Sequence, residues 1–114
     1  MLIVIIRRVW CSERVLAVVD FVHLHCHSEY SLLDGMSTPL DIARVASSNG
    51  QFAAAITDHG TMGGVLKFQD ACDRFGVRPL FGIEAYFVPS VERDSDSKQE
   101  RFHLILLAKL HFNH

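Results

Sequence analysis

Cysteine is scarce in this 114-residue sequence, and its three cysteines stand far apart. Cys11, Cys26 and Cys72 are odd in number and contain no CxxC pair, which argues against a disulfide framework and against a thiolate zinc knuckle. Free thiols are typical of a reducing compartment, so we expect a cytoplasmic protein.

Long apolar stretches are also missing. The apolar run from Leu2 to Ile6 is interrupted by Arg7 and Arg8. A membrane-spanning helix needs about 20 apolar residues, and a signal peptide places its positive charge before the apolar stretch. Residues 1–20 therefore predict neither feature, and they remain an unassigned N-terminal extension.

Neither sign of charge is in large excess, because 11 Lys and Arg are matched by 13 Asp and Glu. The resulting net charge of −2 excludes a chain-wide basic surface for nucleic acid. Contact with DNA or RNA would have to come from a local patch or a metal ion. The hydrophobic fraction of 49% is ordinary for a globular protein, and the length limits the chain to one domain.

Apolar segments alternate between strand-like and helix-like patterns. Thr38 and Pro39 predict the start of a first helix that Gly50 ends, and a second helix begins near Gly64 and ends at Gly76. The order indicates βαβ units in a parallel sheet or barrel, hence an α/β fold with functional residues at the carboxyl ends of the strands. A polar loop is expected over 89–101, and strands are predicted over 18–25, 52–57, 77–88 and 102–108.

Three of the seven histidines stand at alternate positions within five residues, directly after an apolar run. In an extended strand His23 and His25 would project from the same face, and this HxH spacing can offer two nitrogen ligands to one metal ion. His27 is adjacent and could hold a ligand or a water in place. Solvated or packed histidines are the alternative, and the motif alone does not decide between them.

Two further strand ends carry metal-competent side chains. Asp58 and His59 follow the second strand, and Glu84 lies in an apolar third strand where a carboxylate needs a partner or a metal. Imidazole and carboxylate ligands suit zinc, manganese or iron, and such ions promote phosphoester hydrolysis. Gly60, Gly63 and Gly64, at the start of the second helix, either bind a phosphate through their N–H groups or form a simple turn.

Four segments resemble the start of the PHP (polymerase and histidinol phosphatase) domain, in the version found at the N-terminus of bacterial DNA polymerase III alpha subunits. They are HLHCHSEYSLLDG, AAAITDHGTMGGVLKFQDAC, GVRPLFGIEAYFVP and ERFHLILLAK, and they stand in the expected order between Phe21 and Lys109. The resemblance implies a partial, distorted β/α barrel of PHP type that contains the first strands and helices only. We expect residues 110–114 to be a tail unlike the family.

The resemblance also implies a site. Its ions would be divalent, zinc or manganese, with two or three in the complete domain, and no catalytic group separate from the metal ligands is expected. The implied partners are the 3′ end of a DNA primer and the rest of the polymerase chain, with no membrane. The implied metal ligands are His23, His25, Asp34, His59, Glu84 and His103.

The position of His103 at the start of its apolar run raises a difficulty, because a strictly parallel barrel would place it at the wrong edge. Either the fourth strand runs antiparallel to the third, or the preceding loop carries His103 across the site. The sequence leaves both open.

Three functions follow from these observations. The first is a fragment of the PHP phosphoesterase domain of a replicative polymerase, with 3′–5′ exonuclease proofreading as the activity of the complete domain. The second is a non-catalytic structural or docking region of that polymerase. The third is a small-molecule PHP phosphatase, which the SEYSLLDG and FHLILLAK segments disfavour. The chain carries none of the polymerase carboxylates, and on its own it is expected to be inactive.

Overall fold

The computed structural model describes residues 21–88 and 101–109. The expectations for residues 1–20, for residues 89–100 of the polar loop and for the tail over 110–114 lie outside these ranges. In chain order the elements are α1 (Pro39–Ser48), β1 (Ala53–Ile56), α2 (Val65–Phe75), β2 (Arg78–Phe87) and β3 (Phe102–Leu107).

The three strands form one sheet in the order β1-β2-β3. β1 and β2 run parallel and are joined by α2, which is the predicted βαβ unit. β3 runs antiparallel to β2, with His103 opposite Tyr86. The antiparallel alternative for the fourth predicted strand is therefore confirmed, and it places His103 near the carboxyl end of β2.

The segment 21–28, named here the N-terminal segment, is extended, but it is not a regular strand. The Ala55 N–H donates to the His23 carbonyl at 2.8 Å, and the Thr57 N–H donates to the Cys26 carbonyl at 2.8 Å. The donors are two residues apart and the acceptors three, so the segment contains one residue more than a regular ladder allows. The predicted regular strand over 18–25 is wrong for residues 21–25, because this extra residue breaks the alternation of side chains.

Local signals set the helix ends as predicted. The Thr38 hydroxyl accepts from the Asp41 N–H at 3.1 Å, and the Asp41 carboxylate accepts from the Thr38 N–H at 3.4 Å, which forms a capping box before Pro39. α2 ends at Gly76, whose φ of +67° is the left-handed conformation that glycine adopts without strain. No helix of the described residues has the length and apolar character that crossing a membrane requires.

Small and apolar side chains form the core between the two helices and the sheet. On α2, Phe68 and Cys72 are fully buried, and Val65 and Phe75 pack against the core. Burial raises the pKa of the Cys72 thiol to about 12, so this cysteine is a protonated core residue. The remaining buried core residues are Ala43, Ala46, Ala54, Ile56, Ala71 and Val77.

Gly82 allows β3 to approach β2 closely. A Cβ at this buried position would lie 2.5 Å from the Leu106 carbonyl oxygen, which is backbone and cannot turn aside. We expect Gly82→Ala to lower the free energy of unfolding by about 1–3 kcal/mol, the usual cost of overpacking, as measured by urea denaturation. Leu66→Ala, at a position 78% exposed on α2, is the control and should change stability little. An unchanged urea midpoint for Gly82→Ala would contradict this packing.

Candidate metal centre

Glu84 lies at the centre of the candidate site. Its side chain is 1% exposed although it is a carboxylate. Backbone hydrogen bonds join it to the residues after β1: the Glu84 N–H donates to the Asp58 carbonyl at 3.0 Å, and the Gly60 N–H donates to the Glu84 carbonyl at 2.9 Å. The carboxyl end of β1 is thereby held beside Glu84.

Four imidazoles surround the Glu84 carboxylate. His25 Nε2 lies 2.5 Å and His27 Nε2 lies 2.6 Å from Oε2. The other oxygen, Oε1, contacts His103 Nδ1 and lies 3.6 Å from His59 Nδ1. The N-terminal segment, the residues after β1, and β3 therefore converge on a single acidic side chain.

Asp34 supplies a second carboxylate on the open side of the cluster. Its Oδ2 lies 2.5 Å from His59 Nε2 and 2.9 Å from His27 Nδ1. The Asp34 side chain is 55% exposed, in contrast to the buried Glu84. The cluster thus has one carboxylate at its buried base and one at its solvent-facing rim.

These side chains form three overlapping groups whose ligand atoms lie within 4.8 Å of one another. Each pair of groups shares one residue: His27, His59 or Glu84. Shared ligands are suited to ions that lie close together. The groups are His25, His27 and Glu84; His27, Asp34 and His59; and His59, Glu84 and His103.

The number of N–H groups on the histidine rings indicates whether cations fit this cluster. A neutral imidazole has one N–H, yet His27 faces Glu84 with Nε2 and Asp34 with Nδ1. One of these contacts therefore sets a lone pair against a carboxylate oxygen, unless the ring carries a second proton or a cation intervenes. His59 faces two carboxylates in the same way, and its buried Nδ1 has no hydrogen-bond partner among the described residues. The donor set fits divalent metal ions, which remove both conflicts.

Both carboxylates favour the ionised form that binds cations. Burial raises the pKa of Glu84, but hydrogen bonds from His25 and His27 outweigh it and hold the pKa below its ordinary value. The hydrogen bond from His59, assisted by His27, lowers the pKa of Asp34. The site therefore offers two anionic oxygen ligands beside its imidazole nitrogens.

The structure brings together five of the six ligands that the sequence analysis expected, namely His25, Asp34, His59, Glu84 and His103. His23, the sixth, belongs to none of the three groups found among residues 21–88 and 101–109; its ring packs edge-on against Phe21, with centroids 4.8 Å apart. His27, expected only to support a ligand, belongs to two groups. The HxH spacing fits His25 and His27 equally well, and the extra residue in the N-terminal segment decides between the pairs.

Two other predicted features have structural partners. Asp58 is 2% exposed and accepts hydrogen bonds from Ser28 and Ser31. At Gly63 and Gly64 an added Cβ would lie 3.1 Å and 3.0 Å from the Tyr30 ring, so both glycines let Tyr30 pack on the start of α2. The packing supports the simple turn, and phosphate binding by these N–H groups stays a prediction.

Residues 23–113 match the family model of the PHP domain. The chain belongs to the PHP domain family. The DNA polymerase III alpha subunit of Treponema pallidum (strain Nichols) is 45% identical over 97 residues, and that of Campylobacter jejuni is 44% identical over 90 residues. These matches cover 82% and 79% of this chain but 8% of each relative, so the chain spans less than a tenth of their length.

Solved structures agree with the PHP assignment. A Bifidobacterium adolescentis protein named as a metal-dependent phosphoesterase superposes with a TM-score of 0.59 and 30% identity, over 74% of this chain and 26% of that one. An amidohydrolase from Chromobacterium violaceum, solved with sulfate and without metal, superposes with a TM-score of 0.59 and 29% identity, over 75% of this chain and 27% of that one. The sheet and helices described here therefore correspond to part of a PHP-type barrel.

Paired histidine variants test which rings bind the ions. We expect His27→Ala to weaken Zn²⁺ or Mn²⁺ binding by more than about 100-fold, because even residues that only support a ligand account for 10–100-fold in affinity. His23→Ala is the matched control and should bind metal like the unmodified chain. Isothermal titration calorimetry measures the metal affinity of both variants. A loss of affinity confined to His23→Ala would favour His23 and His25, the ligand pair expected from the sequence.

A second prediction concerns how the stability of the metal-free chain depends on pH. A carboxylate whose pKa is lowered in the folded state adds stability above its ordinary pKa, and this stability is lost as the pH falls. Thermal unfolding with a chelator should therefore show a stability difference between the unmodified chain and Glu84→Gln that narrows as the pH falls below 4.5, the ordinary pKa of the carboxyl group. A difference that does not change with pH would contradict the lowered pKa of Glu84.

Proposed function

We propose that this chain forms part of a metal-dependent phosphoesterase that hydrolyses the phosphodiester at the 3′ end of DNA, as the PHP region of a DNA polymerase III alpha subunit. The observation that carries the proposal is the set of three ligand groups that share His27, His59 and Glu84. Zinc or manganese ions, two or three in number, suit this mixture of imidazole and carboxylate ligands. The reducing cytoplasm is the compartment in which such a polymerase would act.

The division between a buried base and an open rim supports a hydrolytic role. Glu84 is held at the base by backbone hydrogen bonds, while His25 and His103 are each 53% exposed. When bound, divalent ions supply an activated water and neutralise charge on a phosphoryl group. The rim side chains leave that chemistry accessible from solvent, as a polymer end requires.

The proposed ligands are those that the geometry brings together, with His27 in place of His23. His27 and His59 orient their rings between the two carboxylates, Asp34 and Glu84. No further side chain is assigned as a general base, so the ligands themselves are the machinery. Their shared task would be to hold the ions.

DNA is the proposed substrate because the similar proteins are DNA polymerase III alpha subunits. The chain has a net charge of −2, so it does not attract a polyanion through its overall charge. Attraction for the phosphate backbone would then depend on the ions. Such a site engages the terminal phosphodiester locally and leaves duplex binding to other parts of the polymerase.

The test is cleavage of a 5′-labelled single-stranded oligonucleotide by the polypeptide that carries this sequence, with Zn²⁺ or Mn²⁺. We expect shortening from the 3′ end, and a rate more than about 100-fold lower for Glu84→Gln and His59→Ala, because each removes a ligand shared by two groups. Leu66→Ala is the control. Cleavage that persists in a chelator or in both ligand variants would contradict the proposal.

A structural role in the polymerase is the second candidate, favoured by one observation. Phe102, Leu104 and Leu106 alternate along β3 and are about half exposed, an apolar face that suits packing against another surface. Metal binding without turnover on DNA would support this candidate. Turnover of a small phosphomonoester but not of DNA would instead indicate a small-molecule PHP phosphatase.

A further inference from the structure

We propose that Asp58 is a positioning residue of the metal centre: its buried carboxylate fixes the turn that carries Asp34 relative to His59, without binding an ion itself. The inference rests on the proposed function, because Asp34 and His59, the two residues that Asp58 positions, are proposed ligands. The hydrogen bonds that carry it are present without any ion.

The Asp58 carboxylate is fully engaged by donors from the N-terminal segment and the turn that follows it. Oδ1 accepts from the Ser28 N–H at 2.6 Å and from the Ser31 hydroxyl at 2.7 Å. Oδ2 accepts from the Ser28 hydroxyl at 2.8 Å. Hydrogen bonds to a charged acceptor are the strong ones, and these three hold both serines in place.

The two serines in turn hold Asp34. The Ser31 N–H donates to the Ser28 carbonyl at 2.9 Å, and the Ser31 carbonyl accepts from the Asp34 N–H at 3.0 Å and the Gly35 N–H at 2.9 Å. Gly35 passes so close that a Cβ there would lie 1.9 Å from the Ser28 carbonyl oxygen. A continuous series of hydrogen bonds therefore runs from Asp58 to the backbone of Asp34.

The same carboxylate also acts on His59. The Ser31 hydroxyl that donates to Asp58 accepts from the His59 N–H at 3.1 Å. Ser31 thus ties the backbone of His59 to the turn that carries Asp34. The result is the 2.5 Å contact between Asp34 Oδ2 and His59 Nε2, which joins two side chains from distant parts of the chain.

Backbone strain in the turn agrees with this role. Leu33, next to Asp34, has a φ of +66°, a strained conformation for a non-glycine residue that persists only where surrounding contacts impose it. Its side chain is fully exposed, so its own packing does not impose it. The hydrogen bonds that begin at Asp58 are the contacts that do.

A role as a metal ligand does not fit Asp58. It is 2% exposed, both of its oxygens already accept from donors, and it is absent from the three groups found in the described residues. Gly64 also lies against it, since a Cβ there would be 3.4 Å from Oδ2. The carboxylate faces hydroxyl and N–H groups, whereas Glu84 faces imidazoles.

The first readout needs no metal. In the polypeptide that carries this sequence, with a chelator, hydrogen exchange of the Asp34, Gly35 and His59 amides should speed up by more than about tenfold in Asp58→Ala. Amides of α1 should keep their protection. Asp58→Asn keeps an oxygen that can accept from Ser28 and Ser31, so it should keep most of the protection. The control Phe68→Leu loosens the core without touching the turn and should not produce this local pattern.

The second readout is Zn²⁺ affinity by calorimetry. Asp58→Ala should weaken binding by about 10–100-fold, as for groups that orient ligands, and Asp58→Asn by clearly less. If Asn and Ala weaken binding equally while the turn stays protected, the negative charge itself matters and the inference fails. Unchanged exchange and affinity in Asp58→Ala would also overturn it.

A milder variant keeps the test decisive if Asp58→Ala does not fold. Ser31→Ala removes one hydroxyl and should speed exchange of the His59 amide, and unchanged exchange there would overturn the inference. The proposed function fails separately, if the unmodified polypeptide binds no Zn²⁺ or Mn²⁺. In that event the exchange measurements still decide whether Asp58 holds the turn.

Discussion

A buried carboxylate facing four imidazoles is the interaction on which the rest of this structure depends. Removing an ionised carboxylate from water is unfavourable unless charged or hydrogen-bonding groups replace the water. For Glu84 those groups are the rings of His25, His27, His59 and His103, which come from three separate parts of the chain. Their convergence on one side chain fixes the N-terminal segment, the end of β1 and β3 relative to one another.

The two buried carboxylates of the site have different roles because they have different neighbours. Glu84 faces imidazole nitrogens that also bind metals, whereas Asp58 faces only hydroxyl and N–H donors. A carboxylate that faces metal-binding nitrogens can bind the same ion as those nitrogens. A carboxylate that accepts hydrogen bonds from fixed donors holds those donors in place. The exposed Asp34 depends on both, since His59 binds its side chain and the turn from Ser31 sets its backbone.

Features with local causes could be predicted from the sequence, and features with tertiary causes could not. Thr38 and Gly76 set helix ends through bonds to near neighbours, and both residues were predicted from the sequence. The choice between His23 and His27 depends on an extra residue opposite β1, which no pattern within the segment reveals. The direction of β3 was also left open by the sequence, because its pairing with β2 determines that direction and no local pattern reveals the pairing.

The central claim is that the cluster around Glu84 is a metal centre with more than one ion. Anomalous diffraction from crystals of the polypeptide grown with Zn²⁺ or Mn²⁺ tests it most directly. The account predicts two or three peaks, each between the members of one ligand group and linked through His27, His59 and Glu84. Crystals that bind the metal elsewhere, with no peak beside Glu84, would contradict it.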